Sequence, residues 1–382
     1  MSACNVCGAA LAAPVYRGGE GSSITTMNVV IEGQTEIFHC RACDHVQTAE
    51  LPDLERYYAE IYSINEGGED DDQLYEIRDG REIYRSEHQA AVALEKLGLS
   101  GSPKVLDYGS AKGATLRRIV TARPDVVPYL FDVTDKYRSF WGDFPVPAQT
   151  ATHRPDPAWA GSLDVVMSFY ALEHIPALQE TLAAISALLR PGGTFYFLVP
   201  NMHANPADFI VADHVNHFSR RSLTTMLERA GFSGIEIDES AHAAAFVVTC
   251  KAARPQAHTA AQIPGSEAEV KQLAAFWSRA GARIGEQEAS LAEDARIAIY
   301  GAGVYGHFIL SSLTRPDRVA CFLDRNRFLR GTRSNGLEVR APEDAPADLD
   351  AVFVGLNPLQ ARAIMDTVEP LKARKTRLFF LD

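Results

Sequence analysis

The sequence predicts an α/β protein: a Rossmann-like, doubly wound sheet at its centre, a small cysteine-bound ribbon before it, and a second, smaller Rossmann-like lobe after it. Three observations predict this. Apolar runs of strand length alternate with helix-length segments between residues 101 and 253, the pattern of a mostly parallel sheet. Two Cys-x-x-Cys pairs, Cys4/Cys7 and Cys40/Cys43, stand ahead of that region. A strand, a glycine turn and a second strand ending in an acid occur twice, from Val105 to Asp132 and from Ile297 to Asp324. The expected divisions are a ribbon over 1–50, a helical connector or lid over 51–100, the central sheet over 101–253, a linker and long helix over 254–295, and the small lobe over 296–382.

Composition bounds the function. The chain has 382 residues and a formal net charge of −12, which argues against a nucleic acid as the main partner. No apolar stretch is long enough to span a bilayer. The N-terminus carries no basic-then-apolar signal segment, so the expected location is cytoplasmic, with no membrane partner.

In the ribbon, Cys4, Cys7, Cys40 and Cys43 form two knuckles around a strand-rich insert, Ile24 to Phe38. Two thiolate pairs complete a tetrahedron, so the pattern predicts a Cys4 zinc site. Four protein ligands leave no open position, which makes the metal structural. A redox pair is the competing reading, and the duplicated motif opposes it. The only cations in residues 1–50 are Arg17 and Arg41, against Glu20, Glu32, Glu36, Asp44 and Glu50. Such a ribbon is a poor phosphate reader.

Residues 51–100 read as helical and rich in tyrosine: Tyr57, Tyr58, Tyr62, Tyr75 and Tyr84. An acidic run, Glu69 to Asp72, interrupts them as a solvated loop, and a helix from Tyr84 to Leu97 leads onward.

The stretch Val105 to Gly113 reads as a buried strand, a glycine turn at Gly109, Ser110 and Gly113, and a helix from about Ala114. Glycine allows the sharp turn and close approach to a ligand. The helix start behind it offers unpaired N–H groups. Asp107 precedes the turn by two residues. Asp132 ends the next apolar run, Val126 to Phe131, with Val133 beside it, where a carboxylate can take both hydroxyls of a ribose.

Downstream, Asp135 to Trp141 reads as a helix packed on the sheet. A Pro-rich crossing from Phe144 to Trp159 hides the third strand, leaving Asp156 as a weak candidate for an adenine-contacting acid. Leu163 to Tyr170 reads as the fourth strand, which brings Ser168 and Phe169 beside the ligand, since ligands bind outside the carboxyl ends of such strands. Ala171 to Ile175 follows. The next helix ends at Arg190, and Pro191-Gly192-Gly193 turns into a strand from Thr194 to Val199.

The glycine turn with its two acids, followed by strand, Glu173-His174-Ile175, helix, Pro-Gly-Gly and strand, resembles the class I S-adenosylmethionine (SAM) methyltransferases. The resemblance implies SAM as cofactor, held by Asp107, Gly109, Ser110, Gly113, Asp132, Val133, Ser168 and Phe169. The usual middle glycine of that loop is Ala111 here. Other nucleotide-binding doubly wound domains share the outline.

Beyond the sheet strand, Asp213-His214-Val215-Asn216-His217 gives a histidine pair with metal-like spacing but no clear third ligand. The expected role is hydrogen bonding of substrate hydroxyls or of loop carbonyls. Ser219 reads as the N-cap of a helix from Leu223 to Ala230, closed by Gly231. A polar linker, Pro255 to Gly265, precedes an amphipathic helix from Glu267 to Glu293. The Gly301-Ala302-Gly303-Val304-Tyr305-Gly306 turn of the last lobe fits a dinucleotide on pattern alone. The lobe is short and lacks a second half, so it is expected to be cofactor-free, helping to hold substrate or a homodimer.

Taken in order, ribbon, central domain, long helix and small lobe resemble the sugar C-methyltransferases that act on nucleotide-linked keto-deoxysugars. That resemblance implies structural zinc, a sugar or nucleotide-sugar substrate, and a histidine base in the loop after the fourth strand. Carried over, His174 is the base, Tyr170 and Glu173 are helpers, and His214 or His217 is the lesser candidate for the base. The segments around His203 and His214 look more like small-molecule O-methyltransferases, so the attacked atom, carbon or oxygen, stays open. Two alternatives remain: a zinc-ribbon RNA methyltransferase, and a non-catalytic SAM- or nucleotide-binding protein.

Overall fold

The computed structural model describes residues 3–18, 23–31, 33–50, 72–252, 259–374 and 376–382. Tyr57, Tyr58, Tyr62, the acids Glu69 to Asp71 and part of the polar linker lie outside the described residues.

The N-terminal ribbon is a three-stranded antiparallel sheet of β1 (Tyr16–Arg17), β2 (Glu36–Cys40) and β3 (His45–Thr48), in the order β1-β2-β3. The expected helical connector is corrected in its described part. Leu74–Arg78 (β4) and Arg81–Tyr84 (β5) form an antiparallel hairpin around Asp79-Gly80, both residues at positive φ. A two-residue Asp-Gly turn favours a hairpin. Helix α1 (Arg85–Leu97) then begins and ends at a left-handed Gly98.

The central sheet has seven strands: β6 (Lys104–Tyr108), β7 (Val127–Asp132), β8 (Gln149–Thr152), β9 (Leu163–Phe169), β10 (Leu189–Pro200), β11 (Phe232–Asp238) and β12 (Ala245–Ala252). Their order is β8-β7-β6-β9-β10-β12-β11. The first five run parallel, while β12 pairs antiparallel with both β10 and β11. Val105, Val165, Met167 and Tyr196 face one core, and Leu106, Val166, Phe195 and Phe197 face the other. The sheet is therefore covered on both sides, as parallel strands require. Strand order reverses between the parallel neighbours β6 and β9, which makes their carboxyl ends the switch point where ligands bind.

The third strand is β8, whose polar sequence Gln-Thr-Ala-Thr carries no apolar signal because it is a largely exposed edge. Asp156 is corrected: it is exposed and its carboxylate caps a short turn at the Ala158 amide. Helix α2 (Ala114–Ala122) follows the glycine turn, and α3 (Leu178–Leu188) joins β9 to β10, ending two residues before the expected Arg190. Helix α4 (Arg220–Arg229) begins three residues earlier than expected, with Ser219 and Ser222 exchanging cap hydrogen bonds.

Helix α5 (Glu267–Ala289) leads to a six-stranded sheet built on β13 (Ile297–Tyr300), β14 (Val319–Leu323), β15 (Arg333–Ser334), β16 (Leu337–Arg340), β17 (Ala351–Val354) and β18 (Arg377–Phe380), in the order β15-β16-β14-β13-β17-β18. The described residues contain no helix long and apolar enough to cross a membrane.

Candidate active site

The glycine turn is shaped by its neighbours. Gly109 and Gly113 sit at φ 77° and 71°. A Cβ on Gly113 would fall 2.9 Å from Leu130 Cδ2 and 3.1 Å from Phe144 Cε2, on backbone that a side chain strains, so glycine is favoured there. Ala111 also takes positive φ, 43°, where a glycine would be unstrained. Its amide donates to Asp132 Oδ2 at 2.9 Å, and the Thr134 amide donates to Oδ1 at 3.2 Å. The Trp141 indole N–H grips the Ala111 carbonyl at 2.7 Å from behind. The loop and the second acid are thus one rigid unit.

Among the described residues, two buried polar atoms in this cradle have no hydrogen-bond partner: Asp107 Oδ1 and Ser110 Oγ. Burial, with Asp132 nearby, pushes the Asp107 carboxyl up to about 7. An uncompensated carboxylate at 3% exposure is costly, and a cationic amino-acid-like ligand would relieve it. The residues present fit SAM, which brings both positive charge and ribose hydroxyls.

A cavity of about 1300 Å³ opens from this cradle. Asp107, Gly109, Ser110, Asp132, Val133, Phe169, Tyr170 and His174 line it. Ser168 is corrected: its hydroxyl donates to the Tyr108 carbonyl at 2.9 Å, tying β9 to β6 rather than facing the cavity. Tyr170 stands at φ 54° with Arg85 over its ring at 5.1 Å. Seven cations line the same cavity (Arg81, Arg85, Lys112, Arg117, Arg118, Lys136 and Arg327) against four carboxylates, Asp72, Glu87, Asp107 and Asp132. In the whole chain acids outnumber cations, 49 to 37, so positive charge is concentrated here.

The histidines divide by surroundings. His174 Nδ1 donates to the Asp213 carbonyl at 2.9 Å, which leaves the lone pair of the neutral ring on Nε2. Burial holds this imidazole down at about 4, with His214 adding to the effect. His214 packs edge-on at a centroid distance of 4.7 Å, and its Nδ1 reaches Asp208 at 2.6 Å. Burial opposes its charge, but the Asp208 carboxylate more than offsets this and lifts it to about 9. Glu173 lies beside both rings, 1% exposed, with neither oxygen hydrogen-bonded among the described residues, and burial raises it to about 8. The candidate ligand atoms of Glu173, His174 and His214 lie within 4.8 Å of one another, a cluster that includes His214 but not His217, so the expected pair is not brought together as ligands. The imidazolium of His214 already supplies positive charge there. His217 is corrected as a site residue. It is fully buried, donates from Nδ1 to Asp208 at 3.1 Å and accepts from the Thr48 hydroxyl at 2.7 Å, so neither nitrogen reaches the cavity.

Two residues escaped the sequence reading. Asp208, which sets the charge of His214, carried no signal. Arg85 did carry one, because a cation in the first turn of a helix opposes the helix dipole.

In the ribbon, Cys4 Sγ lies 3.5 Å from Cys43 Sγ and Cys7 Sγ 3.5 Å from Cys40 Sγ, and all four sulfurs fall within 4.8 Å of one another. Ligands about 2.3 Å from a tetrahedral zinc are separated by roughly 3.8 Å, so the four thiols fit the metal.

The C-terminal glycine turn serves packing. A Cβ on Gly306 would meet the Gly301 carbonyl at 1.9 Å, and one on Gly301 would meet the Gly355 carbonyl at 2.3 Å. Asp324 takes the Ala302 and Asn326 amides as Asp132 takes those of Ala111 and Thr134. Asn357 and Tyr305 bind the segment Ala204–Asn205 across the mouth of this lobe.

Residues 79–237 match a family model described as a methyltransferase domain. The C-methyltransferase NovU of Streptomyces niveus is 25% identical over 306 residues, covering 72% of this chain and 71% of NovU. Among solved structures, the CurJ carbon methyltransferase is 19% identical, with a TM-score of 0.36 over 43% of this chain and 54% of its own. Human N-acetylserotonin methyltransferase in complex with SAM is 15% identical, with a TM-score of 0.37 over 44% of this chain and 53% of its own. The chain thus spans about half the length of either solved structure. Residues 79–237 form a class I methyltransferase domain, and the protein is a SAM-dependent methyltransferase.

Proposed function

We propose that the protein transfers the methyl group of SAM to a sugar, carried on a nucleotide or another anionic group, with His174 as proton acceptor. The observation that carries this reading is the single cavity joining three features: the Gly109–Asp132 cradle, His174, and the cluster of cations. A net-negative chain that gathers positive charge inside its reaction cavity favours an anionic acceptor. Similarity to a C-methyltransferase supports carbon as the attacked atom. The resemblance to sugar methyltransferases supports the carbohydrate. The four ribbon thiols hold structural zinc away from the chemistry.

Asp132 would hold the cofactor's ribose, and Asp107 with Ser110 its amino-acid end. The bound cofactor supplies an electrophilic sulfonium methyl. Acceptor hydroxyls and activated C–H groups are weak nucleophiles, so a proton must leave as the new bond to methyl forms. His174 takes that proton at Nε2 while its Nδ1–H stays on the Asp213 carbonyl. Glu173, buried beside the ring, gains from ionising once His174 becomes cationic. Tyr170, pinned under Arg85, shapes the acceptor side.

The test is incubation with methyl-labelled SAM and a panel of nucleotide-linked and free sugars, read by mass, with the product's attachment atom assigned by NMR. One labelled methyl on a nucleotide-linked sugar supports the reading. Labelling of RNA alone, or of nothing in the panel, contradicts it.

A further inference from the structure

The ribbon is wired to the catalytic loop through one side chain. Asn216 is fully buried and uses every hydrogen-bonding position of its amide. Its Oδ1 accepts from Asn5 Nδ2 at 3.0 Å and from His45 Nε2 at 3.1 Å. Its Nδ2 donates to the Leu172 carbonyl at 3.0 Å and the Ile175 carbonyl at 2.8 Å. Its backbone amide donates to the Glu173 carbonyl at 3.0 Å. A primary amide has two acceptor positions and two donors, so the orientation of this one is determined, oxygen toward the ribbon and nitrogen toward the loop. Asn5 lies between Cys4 and Cys7, and His45 stands two residues after Cys43. The two carbonyls bracket Glu173 and His174. A second tie runs in parallel: the Asp213 carboxylate accepts from both the amide and the hydroxyl of Thr26, while its carbonyl holds His174 Nδ1.

We propose that Asn216 is a positioning residue that clamps the loop 172–175 to the two cysteine knuckles, so that the thiolate ribbon holds His174 in line for methyl transfer. The ribbon contacts neither reactant in this account. It acts by restricting the loop, and a misplacement of about 1 Å costs on the order of 100-fold in rate. The proposal rests on His174 being the proton acceptor.

The test uses the full-length, zinc-loaded protein. Asn216→Asp keeps the acceptor side but removes both donors to the loop. Asn5→Ala removes one ribbon-side bond and leaves the loop side intact. Should Asn216→Asp fail to fold, Asn5→Ala decides. The expected result has three parts: kcat falls about 10- to 100-fold in Asn216→Asp and several-fold in Asn5→Ala; SAM still binds one per chain with affinity within twofold; and amide exchange in a peptide covering 172–175 speeds up. Metal-stripped wild type should show the same faster exchange. A general loss of structure would instead lower the binding stoichiometry. Unchanged exchange at 172–175, or kcat within twofold of wild type in the folded variants, overturns the proposal. If His174→Ala turns over normally, the choice of base is wrong, and the clamp is then judged by the exchange result alone.

Discussion

Asp107 makes the affinity for SAM depend on pH in a direction that the structure dictates. Its carboxyl is held at about 7 against an ordinary 3.8, first by burial and then by Asp132. That difference corresponds to about 4 kcal/mol between the two protonation states, an upper figure. An acid held above its unfolded value binds more protons in the native state, so its contribution to apo stability falls as pH rises from about 4 through 7. A ligand bearing positive charge reverses this by favouring the ionised form. SAM should therefore bind about tenfold more tightly at pH 8 than at pH 6, and about half a proton should leave per SAM bound at pH 7. Calorimetry in two buffers of different ionisation enthalpy measures both. Asp107→Asn should weaken binding at least tenfold and abolish the pH dependence. Wild-type affinity that is flat from pH 6 to 8, with no proton release, would refute the reasoning.

His174→Ala should lower kcat by about 100- to 10,000-fold, the usual span for a lost general base, while SAM affinity stays within twofold; near-normal turnover removes His174 from the mechanism. Because His174 must be neutral to act and is held at about 4, kcat at saturating SAM in wild type should be lost only as pH falls below about 5, and a limb near 6.5 in kcat would contradict that placement. Asp132→Ala strips the partner of the Ala111 and Thr134 amides and should weaken SAM binding about 10- to 100-fold, two charge-assisted hydrogen bonds being involved; unaltered calorimetric affinity would argue against it. Cys43→Ser should drop bound zinc below one per chain by elemental analysis and lower the melting temperature, and full zinc content in that variant would count against the four-thiolate site.

What could be read from the sequence was what local chemistry dictates. Gly109 and Gly113 announced a turn because glycine takes their positive φ without strain, beside Ala171 for the first and beside Leu130 and Phe144 for the second. Ser219 announced a helix because its hydroxyl caps α4. The four cysteines announced themselves by spacing alone. What stayed hidden depended on contacts distant in the chain or on weak periodicity. The tyrosines after Gln73 suggested a helix, whereas the Asp79-Gly80 turn produces a hairpin. The strand Gln149–Thr152 has no apolar signature because it is an exposed edge. His217 had the spacing of a ligand, yet Thr48, remote in sequence, and Asp208, nine residues before it, occupy both of its ring nitrogens. The approach of His214 to Glu173 and His174 likewise joins segments some forty residues apart.

The most direct test of the central claim is a crystal structure of the protein with S-adenosylhomocysteine. The ribose hydroxyls should lie on the Asp132 carboxylate, the amino-acid end against Asp107 and Ser110, and the thioether sulfur toward the His174 side of the cavity. Ligand density at the Gly301 turn instead, or a cradle between Gly109 and Asp132 closed to the ligand, would contradict it.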